Sequence, residues 1–305
     1  MARYITIRLL IAFAVAITVS LVSFALLRLS GDLARVLAGE GATPEDVARV
    51  AKLYGLDRPF FVQYLDWLLG VMHGDMGTSL FTNKPVLNML LDTVGVTFRL
   101  AVLSLLFGLA IAVPLGVYAA VYANTWIDRV ALALAVFGKA VPNFWLALIL
   151  IYYFGVQLRW LPISGMGSWT NYIMPVVTMG VGVMPQLMRL TRSGMMEVLE
   201  ADYVRTAWAK GLSPRRVFFK HALRNAILPV VAVSAVSLGF MLGGSVIVES
   251  IFSINGIGAL AYRSIRRVDF PVVQSILFFL SFAYILLTLI ADLINAQLDP
   301  RIRLA

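Results

Sequence analysis

Residues 202–216 read DYVRTAWAKGLSPRR, a polar run held between strongly apolar segments. Tyr203 to Lys210 is helix-compatible throughout, with Val204, Ala207, Trp208 and Gly211 at the i, i+3, i+4, i+7 spacing of one helical face. Gly211 then stands where a left-handed residue ends a helix, a conformation glycine takes without steric cost. Ser213 and Pro214 restart it: serine at the N-cap accepts a free backbone N–H, and proline at the first helical position has no N–H to lose. The order helix, glycine stop, helix start predicts a docking element. Composition alone is equally compatible with a basic loop that only holds orientation.

The segments on either side set the solvent. The chain has 305 residues, 60% apolar and 13% charged, with a mean hydropathy of +0.87. Soluble domains average about 25% charged residues, so this deficit of charge implies lipid-facing surface. Six apolar stretches follow one another: Leu9 to Leu29, Val96 to Tyr122, Val130 to Val156, Tyr172 to Met188, Leu228 to Val248 and Val272 to Ile294. The first is too long for a signal-peptide core. At 1.5 Å per residue, about 20 residues cross a hydrocarbon core of roughly 30 Å. Each stretch must be helical, because lipid offers backbone groups no partner.

A net charge of +9 raises nucleic acid as a partner. The basic residues fall mainly between the spans, where they serve as orientation signals, so that reading is rejected. With six spans, 13 Lys and Arg lie on the side of the N-terminus and 9 on the longer, opposite side. Both termini are therefore expected in the cytoplasm, although Arg263, Arg266 and Arg267 run against the rule.

Between the first two spans, Leu29 to Thr93 carries 8 acids against 5 bases, which suits exposure to water. Thr43-Pro44-Glu45-Asp46 reads as an N-cap, first-turn proline and acidic first turn, opening a helix that Gly55 stops. Phe61, Tyr64, Leu65 and Leu68 recur at helical spacing. This is a small folded insertion, either a contact for an external partner or a structural lid.

Farther along, Lys139 and Pro142 stand out within the third span, with Trp145, Tyr152, Tyr153 and Trp160 as interface anchors. A lysine near a span end snorkels to the headgroups, and Lys139 is read that way. The fifth span holds Gly239, Gly243, Gly244 and Ser245, small residues that suit either a helix contact or a pore wall. Glu249, Phe252, Gly256 and Gly258 follow as candidates for an outer gate, ahead of a short helix at 259–267. For Glu249 the alternatives are a cationic substrate group and an ion pair with Arg263.

Absent motifs narrow the function. No G-x-x-x-x-G-K-[ST] occurs, so the chain lacks a P-loop for ATP. The two histidines, His73 and His221, lie in loops, and no span offers a nucleophile with its base. There is no cysteine, which removes disulfides and thiolate metal sites. An ion-coupled carrier would carry acids at mid-membrane and an internal repeat; spans two to six hold acids only near their ends, at Glu249 and Asp292.

Several of these stretches resemble one family. Arg205-Thr206-Ala207 stand where ABC-importer permeases have Glu-Ala-Ala, with Gly211 three residues beyond. His221-Ala222-Leu223-Arg224-Asn225 before Leu228-Pro229 is similar to the dipeptide, oligopeptide and nickel branch. YGLDRPFFVQYLDWL (54–68), GDMGTSL (74–80) and PNFWLALILIYYFGVQLRWLPISGM (142–166) resemble the B-type dipeptide permease subunit. The match departs at Asn255, where the family's Glu-x-x-Phe…Pro-Gly-x-Gly pattern has proline.

The resemblance implies an all-α integral membrane protein of the bacterial cytoplasmic (inner) membrane, with six transmembrane helices and the type I ABC importer permease fold. Its divisions would be the first span (1–29), a helical extracytoplasmic insertion (30–95), a five-helix core (96–295) with a coupling loop (189–228), and a tail (296–305) that includes the Asp-Pro-Arg run at 299–301. Tyr203, Arg205, Thr206, Ala207, Lys210, Gly211, Leu212, Ser213, Pro214 and Arg215 would receive an ATPase, and Ser245, Glu249, Phe252, Gly256 and Gly258 would border the path. The implied partners are a second homologous permease, two ATP-binding-cassette subunits holding ATP and Mg, an extracytoplasmic substrate-binding protein and membrane lipid. No cofactor, metal or catalytic residue is expected in this chain. Short peptides are the implied cargo, with nickel, glutathione or opine-like solutes as alternatives and an ion-coupled carrier as the remote one.

Overall fold

The computed structural model describes residues 2–29, 33–39 and 41–298, so the Asp-Pro-Arg run at 299–301 lies outside the described residues. Among them helices dominate, and the only sheet-like pairing is an isolated bridge between Thr78 and Pro85. Four helices are long and apolar enough to cross a membrane, or six spans if each of two bent helix pairs counts as one.

Helix α1 (Ala2–Leu29) is almost wholly apolar and lies along the last helix of the chain. The insertion follows as α2 (Leu33–Ala38), α3 (Pro44–Leu53) and α4 (Phe60–Met72). Thr43 and Asp46 form a reciprocal capping box at α3, and Gly55 takes φ +64° just beyond it. Hydrogen bonds from Thr43 hold the Asp46 carboxyl below its ordinary range. The cap therefore contributes at neutral pH and is lost as pH falls through that range. On α4 the inward residue is Tyr64, which meets Phe24 of α1, whereas Phe61 and Leu65 are exposed.

The core is built on α5 (Val86–Val121) and α8 (Ile173–Leu199), the most extensively packed pair. Alanines at 112, 119, 131 and 135 bring neighbouring backbones close around Leu187 and Met188. Helix α5 has 36 residues, ten earlier at its start than the apolar run from Val96 suggests. At 1.5 Å per residue it is about 54 Å long and projects beyond the hydrocarbon.

The third span is not one rod. It consists of α6 (Trp126–Ala140) and α7 (Asn143–Leu150, continued by a π-turn to Gln157), bent by 96° at Val141–Pro142. Proline carries no N–H and pushes the preceding residue out of the helical region; Val141 has φ −76°, ψ 119°. A continuous helix from Val130 to Val156 is therefore corrected to two half-helices. After α8 come α9 (Asp202–Ala209) and a helical stretch of α10 (Pro214–Arg216), a π-turn (Val217–Ala222) and α11 (Leu223–Ala226). That stretch meets α12 (Leu228–Gly244) at a 56° bend. Helices α13 (Val246–Ile251) and α14 (Ile257–Arg266) precede α15 (Phe270–Leu298).

Polar links fix the ends of the bundle. Arg8 on α1 pairs with Asp292 on α15 at 3.0 Å. Asp128, at the start of α6 and 3% exposed, accepts from Arg192 Nε at 2.7 Å and Nη2 at 2.8 Å, and from the Asn124 amide at 2.9 Å. At the other end, Asp269 accepts from Ser79 Oγ at 2.6 Å and the Leu80 amide at 3.1 Å, tying the turn at 74–85 to the start of α15. Breaking a buried ion pair by removing one partner costs about 3–5 kcal/mol. Asp128→Ala is thus expected to lower the unfolding temperature of the detergent-solubilised protein well beyond Arg49→Ala, whose ion pair with Asp46 is exposed. Intrinsic tryptophan fluorescence during heating measures both.

Candidate functional site

Helix α9 is short, so its position depends on packing rather than on intrinsic helicity. Val204 and Ala207 are buried in a cluster with Val117 and Ala120 of α5 and Met195 of α8. The buried face is narrower than the sequence periodicity suggests: Trp208 is 42% exposed, its ring against Phe218, and Gly211 is exposed. Asn225 Nδ2 donates to Tyr203 Oη at 2.9 Å, which ties α9 to α11.

Gly211 lies beyond the C-cap Lys210 at φ +70°, as the sequence predicts, and a Cβ added there would meet nothing within 4 Å. Ser213 does occupy the N-cap of α10, but its hydroxyl makes no capping bond; its carbonyl accepts from the amides of Arg216 and Val217 instead. Of the ten residues expected at a docking surface, Ala207 is buried and Leu212 half-buried. The other eight, Tyr203, Arg205, Thr206, Lys210, Gly211, Ser213, Pro214 and Arg215, are exposed. The structure thus brings together one outward, partly cationic surface on an apolar seat.

The five residues expected to border an outer gate are all buried within the chain. Glu249 Oε1 accepts from Thr97 Oγ1 at 2.7 Å and from Ser245 Oγ at 2.8 Å. Its Oε2 accepts from the Ala259 amide at 2.9 Å, and the Ile257 amide donates to Thr97 Oγ1 at 2.8 Å. The carboxylate therefore caps the N-terminus of α14, where free N–H groups and the helix dipole favour an anion. An added Cβ at Gly256 would fall 2.5 Å from the Glu249 carboxyl, so this approach admits no larger residue. An ion pair between Glu249 and Arg263 is not present: Arg263 Nη2 donates to Asn255 Oδ1 at 2.5 Å. That bond uses the residue that departs from the family pattern.

Lys139, in the last turn of α6, borders a cavity of about 330 Å³ with Asn143, Gln186 and Ser237.

Residues 112–304 match the family described as the binding-protein-dependent transport system inner membrane component, and residues 1–101 match its N-terminal region. The chain belongs to this family. Two relatives align over nearly the full length. The probable peptide ABC transporter permease protein y4tP of Sinorhizobium fredii is 39% identical over 312 residues, covering 99% of this chain and 100% of that protein. The glutathione transport system permease protein GsiC of Salmonella typhi is 40% identical over 308 residues, covering 99% of each. In a solved structure of the MetNI methionine ABC transporter, described as inward-facing, the similar chain gives a TM-score of 0.58 at 20% identity. The match covers 69% of this chain and 96% of that one. The protein is the permease subunit of an ABC importer with the type I permease fold, a multi-pass component of the inner membrane that works with ATPase and substrate-binding partners.

Three features of the permease escaped the sequence reading. The Asp128–Arg192 and Ser79–Asp269 links join residues 64 and 190 positions apart, for which local spacing gives no signal. Gln186 and Asn143 had a signal, as amides inside apolar runs. Leaving a buried N–H without its acceptor costs about 1–3 kcal/mol. Glu249→Gln places an amide where both carboxylate oxygens accept, and a clear loss of thermal stability is expected, whereas Arg263→Ala changes little. Equal melting of the two variants would refute the cap.

Proposed function

We propose that this permease imports short peptides, and that two ATP-binding-cassette subunits drive it by docking on the exposed face of α9. The observation that carries this reading is the pairing of that outward face with a buried seat on α5 and α8. A partner gripping Tyr203, Arg205, Lys210 and Gly211 would move Val204 and Ala207 with them, and so the ends of the two core helices. Gly211 offers open space for a close approach. The density of Lys and Arg on this side supports a cytoplasmic position for it and for both termini.

In this scheme the chain itself is not catalytic and holds no cofactor. ATP and Mg bind to the partner ATPases. One chain offers one α9, so a second, homologous permease completes the pair. An extracytoplasmic binding protein delivers cargo near the insertion. Differential affinity of the ATPase pair for the two permease conformations supplies the shift between them. Peptide cargo is supported by the full-length likeness to permeases named for peptides and for glutathione, itself a tripeptide. Nickel chelates and opine-like solutes remain the alternative cargoes.

The test is ATP-dependent uptake of radiolabelled trialanine and of glutathione into proteoliposomes holding the whole transporter and its binding protein. Gly211→Asp adds a charged side chain in the left-handed region, where L-residues pay about 1–2 kcal/mol. It is expected to reduce uptake to background while the variant inserts in the membrane at the wild-type level. Normal uptake by the variant would remove α9 from coupling, and gradient-driven uptake without ATP would replace the scheme with an ion-coupled carrier.

A further inference from the structure

Three spans bring a polar side chain from their middle to one cavity. Gln186 is the central residue of α8, which runs Ile173–Leu199. Lys139 and Asn143 flank the joint between the half-helices α6 and α7. Ser237 lies next to the midpoint of α12. The cavity, about 330 Å³, contains no acidic residue among those lining it. Asn143 lies against α8, since a Cβ on Gly182 would come within 3.1 Å of its Oδ1.

Lys139, Asn143 and Gln186 are exposed, and none has a hydrogen-bond or ion-pair partner among the described residues. Hydrocarbon is a poor neighbour for such a group: an unpaired amide or ammonium loses its hydration with no compensation. These side chains therefore face water, cargo or the second permease, not lipid. Their chemistry is one-sided. Lysine is a compact cation with three donors, and the two amides each add donors that suit carboxylate oxygens.

We propose that Lys139, with Asn143 and Gln186, forms a carboxylate-binding station half-way along the import path. The cargo it suits carries a carboxylate, as the C-terminus of a peptide does; a bare metal cation would be repelled. This inference rests on the peptide reading above and adds the residue that would select for the free acid. A charge-assisted hydrogen bond is worth roughly tenfold or more in affinity, enough to hold the cargo at the crossing without trapping it.

Because the chain has no cysteine, Lys139→Cys introduces its only thiol. In proteoliposomes holding the whole transporter, Lys139→Cys is expected to slow import of trialanine about tenfold. A thiosulfonate that attaches an aminoethyl group should restore import, and one that attaches a sulfonatoethyl group should not; wild-type complexes treated in parallel control for thiols on the partner subunits. Co-purification with the partner subunits reports that the variant is folded, and labelling of that complex reports that the cavity is wet. Lys139→Arg, which keeps the charge, should import at close to the wild-type rate.

Wild-type import by Lys139→Cys would overturn the station. So would a thiol that neither reagent reaches, or reagents that restore import equally or not at all. A wild-type complex that imports neither trialanine nor glutathione with ATP would overturn the peptide reading and this inference together. Import by wild type with an unaffected variant overturns this inference alone.

Discussion

Every backbone N–H and C=O that enters hydrocarbon must find its partner inside the chain, and this constraint orders the rest of the structure. It makes each span a helix and makes any interruption expensive. The breaks are therefore informative. At Val141–Pro142 the third span stops being helical at its centre, bent by 96°. Groups freed there need a polar surrounding, and irregular backbone at membrane depth is tolerated where it lines a water-filled cavity or is buried in protein. The cavity lined by Lys139, Asn143 and Gln186 lies at this break, with Val141 also on its wall.

The same constraint makes the bundle a good transmitter. Long helices carry displacement along their length, and α5 and α8, with Pro114 and Pro185 inside them, run from the cluster under α9 to the cluster that includes Val248 of α13. Asp128 and Arg192 lock the start of α6 to α8 close to where α8 hands over to α9. In the proposed scheme a displacement at α9 would reach α5, α6 and α8 together, and the two bent joints lie at 141–142 and at 227. At the far end, Glu249 holds α14 against α5 through Thr97. Pinned ends and two bent joints suit switching between discrete packings.

Much of this was legible in the sequence, for identifiable reasons. Apolar runs of about 20 residues have one stable solution in lipid, so the spans were readable even where their limits shifted. Glycine, serine and proline fixed the order helix, stop, start around Gly211 because each answers a local steric question, and α9 and α10 follow that order. The capping box at Thr43 is equally local. What could not be read needed the third dimension. Trp208 shares the period of Val204 and Ala207 yet is partly exposed, because the ends of α5 and α8 are wide enough to cover only a narrow face. On α4 the inward residue is Tyr64, since its neighbour is the ring of Phe24 on α1, and Phe61 is left outside.

The two charges that resisted sequence reading are the most instructive. For Glu249 the sequence left a substrate contact and an ion pair with Arg263 as alternatives, and it read Lys139 as a snorkelling cation, because type and position along the span were all that it offered. The physical discriminator is satisfaction of hydrogen bonds. Glu249 is fully buried, and both its oxygens accept from groups fixed in the chain, the Thr97 and Ser245 hydroxyls and the Ala259 amide. A carboxylate so occupied has little left to offer a passing solute without releasing α14. Among the described residues the side chain of Lys139 has no partner, nor have those of Asn143 and Gln186 beside it. A charge that the fold has already answered holds the fold together; Lys139 is left without such an answer among the described residues.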